Sequence, residues 1–340
     1  MQFLQAFDSI SIEERLFMDR RDALLTMLST VVFTATGCSS GNNKKRIAVI
    51  PKGTTHDFWK SVHFGAMEAA KGSGFEIEWQ GTTSEKDKDG QIKMVDNFIK
   101  NKYAGIVLAP IDRDAFVPLV KRAKDQGVPT VIFDSGLSDH SNVVSYVATN
   151  NRRGGEIAAE HMAKLLGGKG GVIMLRYQAG SESTEQREAG FKETLEKKYP
   201  GITFLSDDQR VDSNAETALK IAGPLLKTNR DKLSGVFTVC EPNNKGMLKA
   251  LKENKLDGKV KFIAFDSDPS MIEGLREGSV HGVVLQNPVG MGRQAVEAMI
   301  KHLKGETVEK RIETGEVLAT PENMTEEKVA DLLSPKQYGE

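Results

Sequence analysis

The chain predicts an α/β protein of two doubly wound parallel-sheet lobes. Short apolar runs alternate with amphipathic stretches of helical period from residue 46 onward, and the alternation runs through two successive sets. An apolar run ending in Phe-Asp-Ser also occurs once in each set, as Phe133-Asp134-Ser135 and Phe265-Asp266-Ser267. Short buried strands separated by helices of about 10 to 15 residues make βαβ units and hence parallel sheets. Two such sets make two lobes.

The elements follow in order. Arg46 to Ile50 (RIAVI) reads as a buried strand, Phe58 to Lys71 as an amphipathic helix and Phe75 to Trp79 as a strand. Gly90 to Asn101 is helical, with Ile92, Val95, Phe98 and Ile99 at three- and four-residue spacing. Gly105 to Leu108 is a strand, Ala115 to Gln126 a helix and Thr130 to Phe133 a strand. In the second set, strands fall near Gly171 to Leu175, Ile202 to Leu205, Gly235 to Val239, Lys261 to Phe265 and His281 to Leu285. Helices fall near Gly154 to Leu166, Glu185 to Lys198, Ala215 to Lys227, Lys245 to Glu253 and Pro269 to Glu277. Ligands of open parallel sheets bind beyond the carboxyl ends of the strands. Asp134 and Asp266 therefore stand where a cleft between the lobes belongs; the alternative for each is a cap on the following turn or helix.

The N-terminal segment reads as an export leader. Asp19, Arg20 and Arg21 give a charged start, Ala23 to Ala35 an apolar core of signal-peptide length, and Thr36-Gly37 lead into Cys38. The run is too short and too poorly flanked for a membrane span. A cysteine directly after small residues resembles a bacterial lipobox, with Ala35 where leucine is usual; Cys38 is then the lipidated N-terminus of the mature protein. Met18 is a second plausible start, and the adjacent arginines weakly resemble a twin-arginine signal. Residues 1–37 are thus expected to be signal peptide. Residues 38–45, ending in SSGNNKK, form a short polar tether. The location expected is periplasmic or at the cell surface, on a bacterial membrane through the lipid only.

Composition bounds the remainder. With 340 residues, 27% charged and a net charge of −1, the chain has no electrostatic basis for nucleic-acid binding. The only other cysteine is Cys240, so with Cys38 acylated no disulfide can form within the chain. Gly167-Gly168-Lys169-Gly170-Gly171 precedes a strand instead of opening a helix and lacks phosphate-loop spacing, so it reads as a turn. No G-x-G-x-x-G follows the first strand, no G-x-S-x-G elbow occurs, and the six histidines show no metal-ligand spacing. No cofactor, metal or catalytic residue is expected.

Seven segments carry a resemblance to a known family: IAVIPKGTTHDFWKSVHFGAMEAA, VPTVIFDSG, ATNNRRGGEIAAEHM, STEQREAGFKETL, CEPNNKGMLKALKE, VKFIAFDSDP and GVVLQNPVGMGRQAVEAM. From about Arg46 to Glu316 the chain resembles the type I periplasmic sugar-binding proteins of ATP-driven importers, the ribose- and galactose-binding class. Its Ile50-Pro51-Lys52 opening is closer to the rhamnose- and autoinducer-2-binding branches. The resemblance implies a three-segment hinge near Thr149, Gln286 and Glu316. The N-terminal lobe is then 46–149 with about 287–315, and the C-terminal lobe 150–286 with about 316–340.

It also implies a site for a monosaccharide or sugar-like small molecule, whose hydroxyls suit bidentate planar groups and whose C–H faces suit rings. Phe58 and Trp59 match stacking aromatics, with core packing as the alternative. Lys52, His56 and Asp57 fall in the same first loop. Asp134 matches a cleft aspartate, and Ser135 replaces the arginine that often follows it. Arg187 matches a ligand-gripping arginine, its alternative being a solvated helix-start charge. Cys240 stands where asparagine is frequent, which hands that contact to Glu241 or Asn243; Asp266 and Gln286 match ligand contacts. The aromatic expected after Leu205 has no equivalent in Gln209 to Asn214. The partners implied are membrane permease subunits, with the protein itself a monomer. A chemoreceptor or sensor-kinase ligand presenter is the alternative. A sugar-responsive repressor needs a DNA-binding headpiece before Arg46, where this chain holds the signal and Cys38, and an exported sugar-active enzyme is a further alternative.

Overall fold

The computed structural model describes residues 45–339. The leader and Cys38 lie outside the described residues. The chain forms β1 (Arg46–Ile50), α1 (Asp57–Ala70), β2 (Glu76–Trp79), α2 (Lys88–Lys100), β3 (Gly105–Leu108), α3 (Val117–Asp125), β4 (Thr130–Phe133) and β5 (Ser145–Ala148). It continues with α4 (Asn151–Leu166), β6 (Gly170–Tyr177), α5 (Glu182–Lys198), β7 (Ile202–Ser206), β8 (Arg210–Val211), α6 (Ala215–Asn229), β9 (Leu233–Thr238), α7 (Glu241–Glu253), β10 (Lys261–Phe265), α8 (Pro269–Glu277) and β11 (Gly282–Leu285). Last come α9 (Pro288–Leu303), β12 (Arg311–Glu313), β13 (Val317–Ala319) and α10 (Glu327–Leu333).

Two sheets result, as the alternation predicts. The first has the order β12-β5-β4-β3-β1-β2 and the second β13-β11-β10-β9-β6-β7, with β8 beside β6. Every pairing is parallel except β11 with β13. Both sheets carry helices on both faces. In the first, Ile47 and Val49 pack toward Val62 of α1 and Met299 of α9, while Ala48 and Ile50 face Phe98 of α2 and Val120 of α3. In the second, Val172 and Met174 face Ala159 of α4 and Phe191 of α5, while Ile173 and Leu175 face Ala222 of α6 and Met247 of α7. Strands buried on both faces must be apolar throughout, which is why they were readable as runs. Each sheet reverses its strand order once, between β1 and β3 and between β6 and β9. These switch points are where such sheets open a crevice beyond their carboxyl ends.

Two helix crossings aim the elements that line this crevice. A Cβ on Gly65 of α1 would fall 1.9 Å from the Val289 carbonyl of α9, and one on Gly155 of α4 would fall 2.2 Å from the Arg187 carbonyl of α5. Only glycine lets these backbones meet. The α1–α9 contact sets the helix that carries Phe58 and Trp59, and the α4–α5 contact sets the one that carries Arg187.

Several elements escape the sequence pattern. β5, β8, β12 and β13 span four residues or fewer, and β12 and β13 lie at sheet edges where few apolar residues are needed. Helix α9 is masked by Pro288 and by its glycines, and α10 is seven residues long. Helix α7 begins at Glu241, not Lys245, because Pro242 tolerates the first turn of a helix. The expectation puts residues from about 316 to 340 with the C-terminal lobe. Beyond α10 the tail reaches α1: Tyr338 donates its N–H to the Lys60 carbonyl at 3.1 Å and stacks on His63, which stacks on Trp79.

Candidate ligand-binding cleft

The strand ends of the two lobes meet around one shared cavity. Of the residues singled out in the sequence, Lys52, His56, Phe58, Trp59, Asp134, Arg187, Cys240, Glu241, Asp266 and Gln286 line it. The lobes are shut on each other. Gly136 N–H donates to Glu182 at 2.9 Å, Arg113 pairs with Glu185 at 2.9 Å, and Phe58 N–H reaches Glu241 Oε2 at 3.4 Å.

From the first lobe, Lys52 follows β1 and is held by bonds between neighbouring loops. Gln91 donates to the carbonyls of Pro51 and Ala109 at 3.0 and 2.8 Å, and Thr82 donates to the Lys52 carbonyl at 2.7 Å. The Lys52 ammonium pairs with Asp134 Oδ2 at 3.0 Å and crosses the cleft to the hydroxyls of Ser181 and Ser183, both at 3.2 Å. Trp59 is buried and meets Phe133 edge-on. It is therefore a core residue and a cavity wall together, so the two readings of this aromatic do not exclude each other.

From the second lobe, Arg187 is buried rather than solvated. Its Nε donates to Asn151 at 2.8 Å, its Nη1 donates to the Val239 carbonyl at 2.9 Å and faces Asp266 at 3.4 Å, and its guanidinium lies 3.8 Å over the Phe265 ring. Gln286 donates to Asp266 at 2.6 Å and accepts from Thr149 at 2.7 Å, joining two of the segments that run between the lobes. Burial pushes the Asp266 carboxyl up; Arg187 and Gln286 pull it down without fully offsetting that, and the charge of Asp134 adds to the rise. Burial likewise raises Glu241 against the pull of Lys245, and drives the Cys240 thiol well above its ordinary value, so the thiol stays neutral.

Two expected residues stand elsewhere. Asp57 opens helix α1 and pairs with Lys60 at 2.8 Å; it lines a neighbouring cavity, not this one. His56 is the extended N-cap and Asp57 the first helical residue, and this change of backbone turns the carboxylate away. Ser135 is buried but joins the lobes instead of lining the cavity, accepting from Ser183 N–H at 3.0 Å. Asn243 also misses the cavity: its amide donates to the Leu175 carbonyl at 3.2 Å.

Sequence reading passed over Glu85, Tyr177, Ser181, Ser183, Thr184 and Pro242, which complete the lining. Tyr177 supplies an aromatic from the end of β6, where a ring had been sought after Leu205. The helix-start signal in Ser181-Glu182-Ser183-Thr184 was available, because hydroxyl residues gather at helix N-termini. Glu85 gave none, standing in the charged run Ser84-Glu85-Lys86-Asp87-Lys88.

Known proteins share this architecture. Residues 47–307 match the family model of the periplasmic binding protein domain. A carbohydrate transporter solute-binding protein from Agrobacterium radiobacter, solved in complex with D-arabinose, is 34% identical with a TM-score of 0.81, covering 85% of this chain and 98% of that one. A transporter solute-binding protein from Agrobacterium vitis, solved with bound D-fucose, is 33% identical with a TM-score of 0.81, covering 85% and 99%. A D-ribose/D-allose-binding protein of Pseudomonas aeruginosa is 27% identical over 307 residues, 85% of this chain and 94% of the relative. The protein is a two-lobed binding protein of type I architecture, and it belongs to the periplasmic binding protein family. That family implies a periplasmic or otherwise extracytoplasmic location. Among the described residues, no helix is long and apolar enough to cross a membrane.

Proposed function

We propose that this protein is the solute-binding component of an ATP-driven sugar importer, closing on one monosaccharide and delivering it to a membrane permease. The observation that carries the reading is the convergence of Lys52–Asp134 from one lobe and Arg187–Asp266–Gln286 from the other on one cavity between the lobes. Lys52 and Arg187 each face a carboxylate across the cavity wall, so no strong cation is left free for an anionic ligand. The lone pairs of the carboxylates and the amide of Gln286 suit hydroxyls that both donate and accept. Trp59, Phe58 and Tyr177 offer faces to C–H groups. The relatives' ligands, D-arabinose, D-fucose, D-ribose and D-allose, give a five- or six-carbon scale. Acylation of Cys38 tethers the protein, which works as a monomer and does not transform its ligand.

A thermal-shift panel of those four sugars tests the reading. A ligand at 100 times its Kd adds about 2.7 kcal/mol to stability, enough to raise Tm by several degrees. Calorimetry and recovery of the unchanged sugar should follow for the strongest hit. No shift with any monosaccharide, or a hydrolysed product, would overturn it.

A further inference from the structure

We infer that Glu85 is a positioning residue that makes the aromatic wall of the cleft depend on closure of the two lobes; this rests on the sugar-binding reading above. Its Oε1 accepts from Trp59 Nε1 at 2.8 Å and lies 3.0 Å from His56 Nδ1, both in the first lobe. Its Oε2 accepts from the Tyr177 hydroxyl of the second lobe at 2.8 Å, and its backbone carbonyl accepts from Gln178 at 2.7 Å. One buried carboxylate thus fixes the indole, the imidazole and the phenol that line one stretch of the cavity, and two of the four hydrogen bonds to Glu85 run between the lobes.

The surroundings are built to admit this side chain. A Cβ on Gly53 would lie 3.0 Å from Glu85 Cγ and 3.6 Å from Trp59 Nε1, so any larger residue there would crowd the carboxylate against the indole. Thr54 donates to the Thr82 carbonyl at 3.3 Å, tying the loop after β1 to the loop that carries Glu85. Burial opposes ionisation of the carboxyl; the hydrogen bond and charge of His56, then Lys52 and Trp59, overcome it and hold the carboxyl at about 2. Glu85 therefore remains an ionised acceptor throughout the physiological range.

A group that is tied to one lobe and completed by the other slows opening more than it speeds encounter. Its removal should thus raise the dissociation rate with little change in the association rate. The test uses whichever of D-arabinose, D-fucose, D-ribose and D-allose gives the largest melting shift with the unaltered protein, followed by stopped-flow tryptophan fluorescence. Glu85→Leu, which keeps bulk and removes every acceptor, should release the sugar roughly 10- to 100-fold faster, as loss of charge-assisted hydrogen bonds implies. Tyr177→Phe, which deletes only the cross-lobe hydroxyl, should speed release about 3- to 10-fold. The double variant should release no faster than Glu85→Leu alone, because the bond between the lobes is then already gone. Glu85→Gln, whose amide can still meet both Trp59 and Tyr177, should restore most of the residence time. Unchanged release in Tyr177→Phe, or additive effects in the double variant, would overturn the inference; Tyr177→Phe decides the matter if Glu85→Leu does not fold. Failure of the unaltered protein to bind any of the four sugars would instead overturn the transport reading.

Discussion

Asp134 and Asp266 occupy corresponding places in the two lobes: each follows the phenylalanine that ends its strand, and each has a left-handed backbone, with φ +62° and +75°. Each N–H donates to the next strand, to the Val147 carbonyl at 3.0 Å and the Val284 carbonyl at 2.9 Å. Aspartate and asparagine tolerate this backbone better than other non-glycine residues. The turn so made holds each carboxylate at the cavity wall, one on Lys52 and the other on Arg187 and Gln286. Neither caps a helix: Asp268 does that for α8, accepting from Ser270 N–H.

The pairing separates binding from stability at Asp266. Its raised carboxyl means that ionisation there costs the fold free energy at neutral pH. Asp266→Asn fits the left-handed turn and removes that cost, so the unliganded protein should melt no lower than the parent. Sugar affinity should nonetheless fall about 10- to 100-fold through loss of a charge-assisted acceptor. Arg187→Ala should lose stability as well as affinity. It strands a buried carboxylate and empties the space over Phe265, and should cost about 3–5 kcal/mol. Calorimetric titration beside melting curves distinguishes the two, and native affinity in Asp266→Asn would remove it from the site.

Much of this was legible in the sequence because it rests on local rules. Ile47 to Ile50 had to be apolar on both faces, and Phe-Asp-Ser repeated because both lobes solve the same turn. What escaped depends on contacts between distant segments. Glu85 reads as one more solvated charge until Gly53 leaves room for it and Tyr177 arrives from the other lobe. Asp57 reads as a neighbour of His56 until the helix begins and turns it away. Tyr338 lies near the end of a polar tail, and nothing nearby in sequence announces the two rings it continues.

Stability should depend on pH through His63. Burial holds its imidazole neutral down to about 4, whereas an unfolded chain takes up the proton near 6.5. Between those values the unfolded state binds more protons, so stability falls as pH falls. Allowing for partial solvent contact, about 1–2 kcal/mol should be lost at this residue between pH 6.5 and 4.5. His281 is depressed to about 4, chiefly by burial, and adds to the slope. His63→Phe keeps a ring between Trp79 and Tyr338 without a titrating group. Its Tm should decline less steeply over that interval, and parallel curves for variant and parent would refute this assignment.

Acylation is expected at Cys38. Radiolabelled palmitate should enter the parent protein and be absent from Cys38→Ala, which should move from the membrane fraction to the soluble one. Equal labelling of both would rule out the lipid anchor.

The tail ties the end of the second lobe to helix α1. Ser267 Oγ donates to the Leu333 carbonyl at 2.8 Å on one side, and Tyr338 is fastened to Lys60 and His63 on the other. The strap therefore touches the loop that carries Asp266 and the helix that carries Phe58, on opposite sides of the cleft. Tyr338 is 48% exposed, so its worth lies mainly in the stack with His63, whose ring centroid is 3.8 Å away. Stacks of this kind contribute about 0.5–1.5 kcal/mol beyond area burial. Tyr338→Ala should lower Tm by a few degrees at most. Ending the chain after Ser334 removes the whole tie, and bound sugar should then leave about 3- to 10-fold faster while the association rate stays near that of the parent. If dissociation is unchanged in the shortened chain, the tail is packed on α1 in open and closed forms alike and does not restrain the lobes.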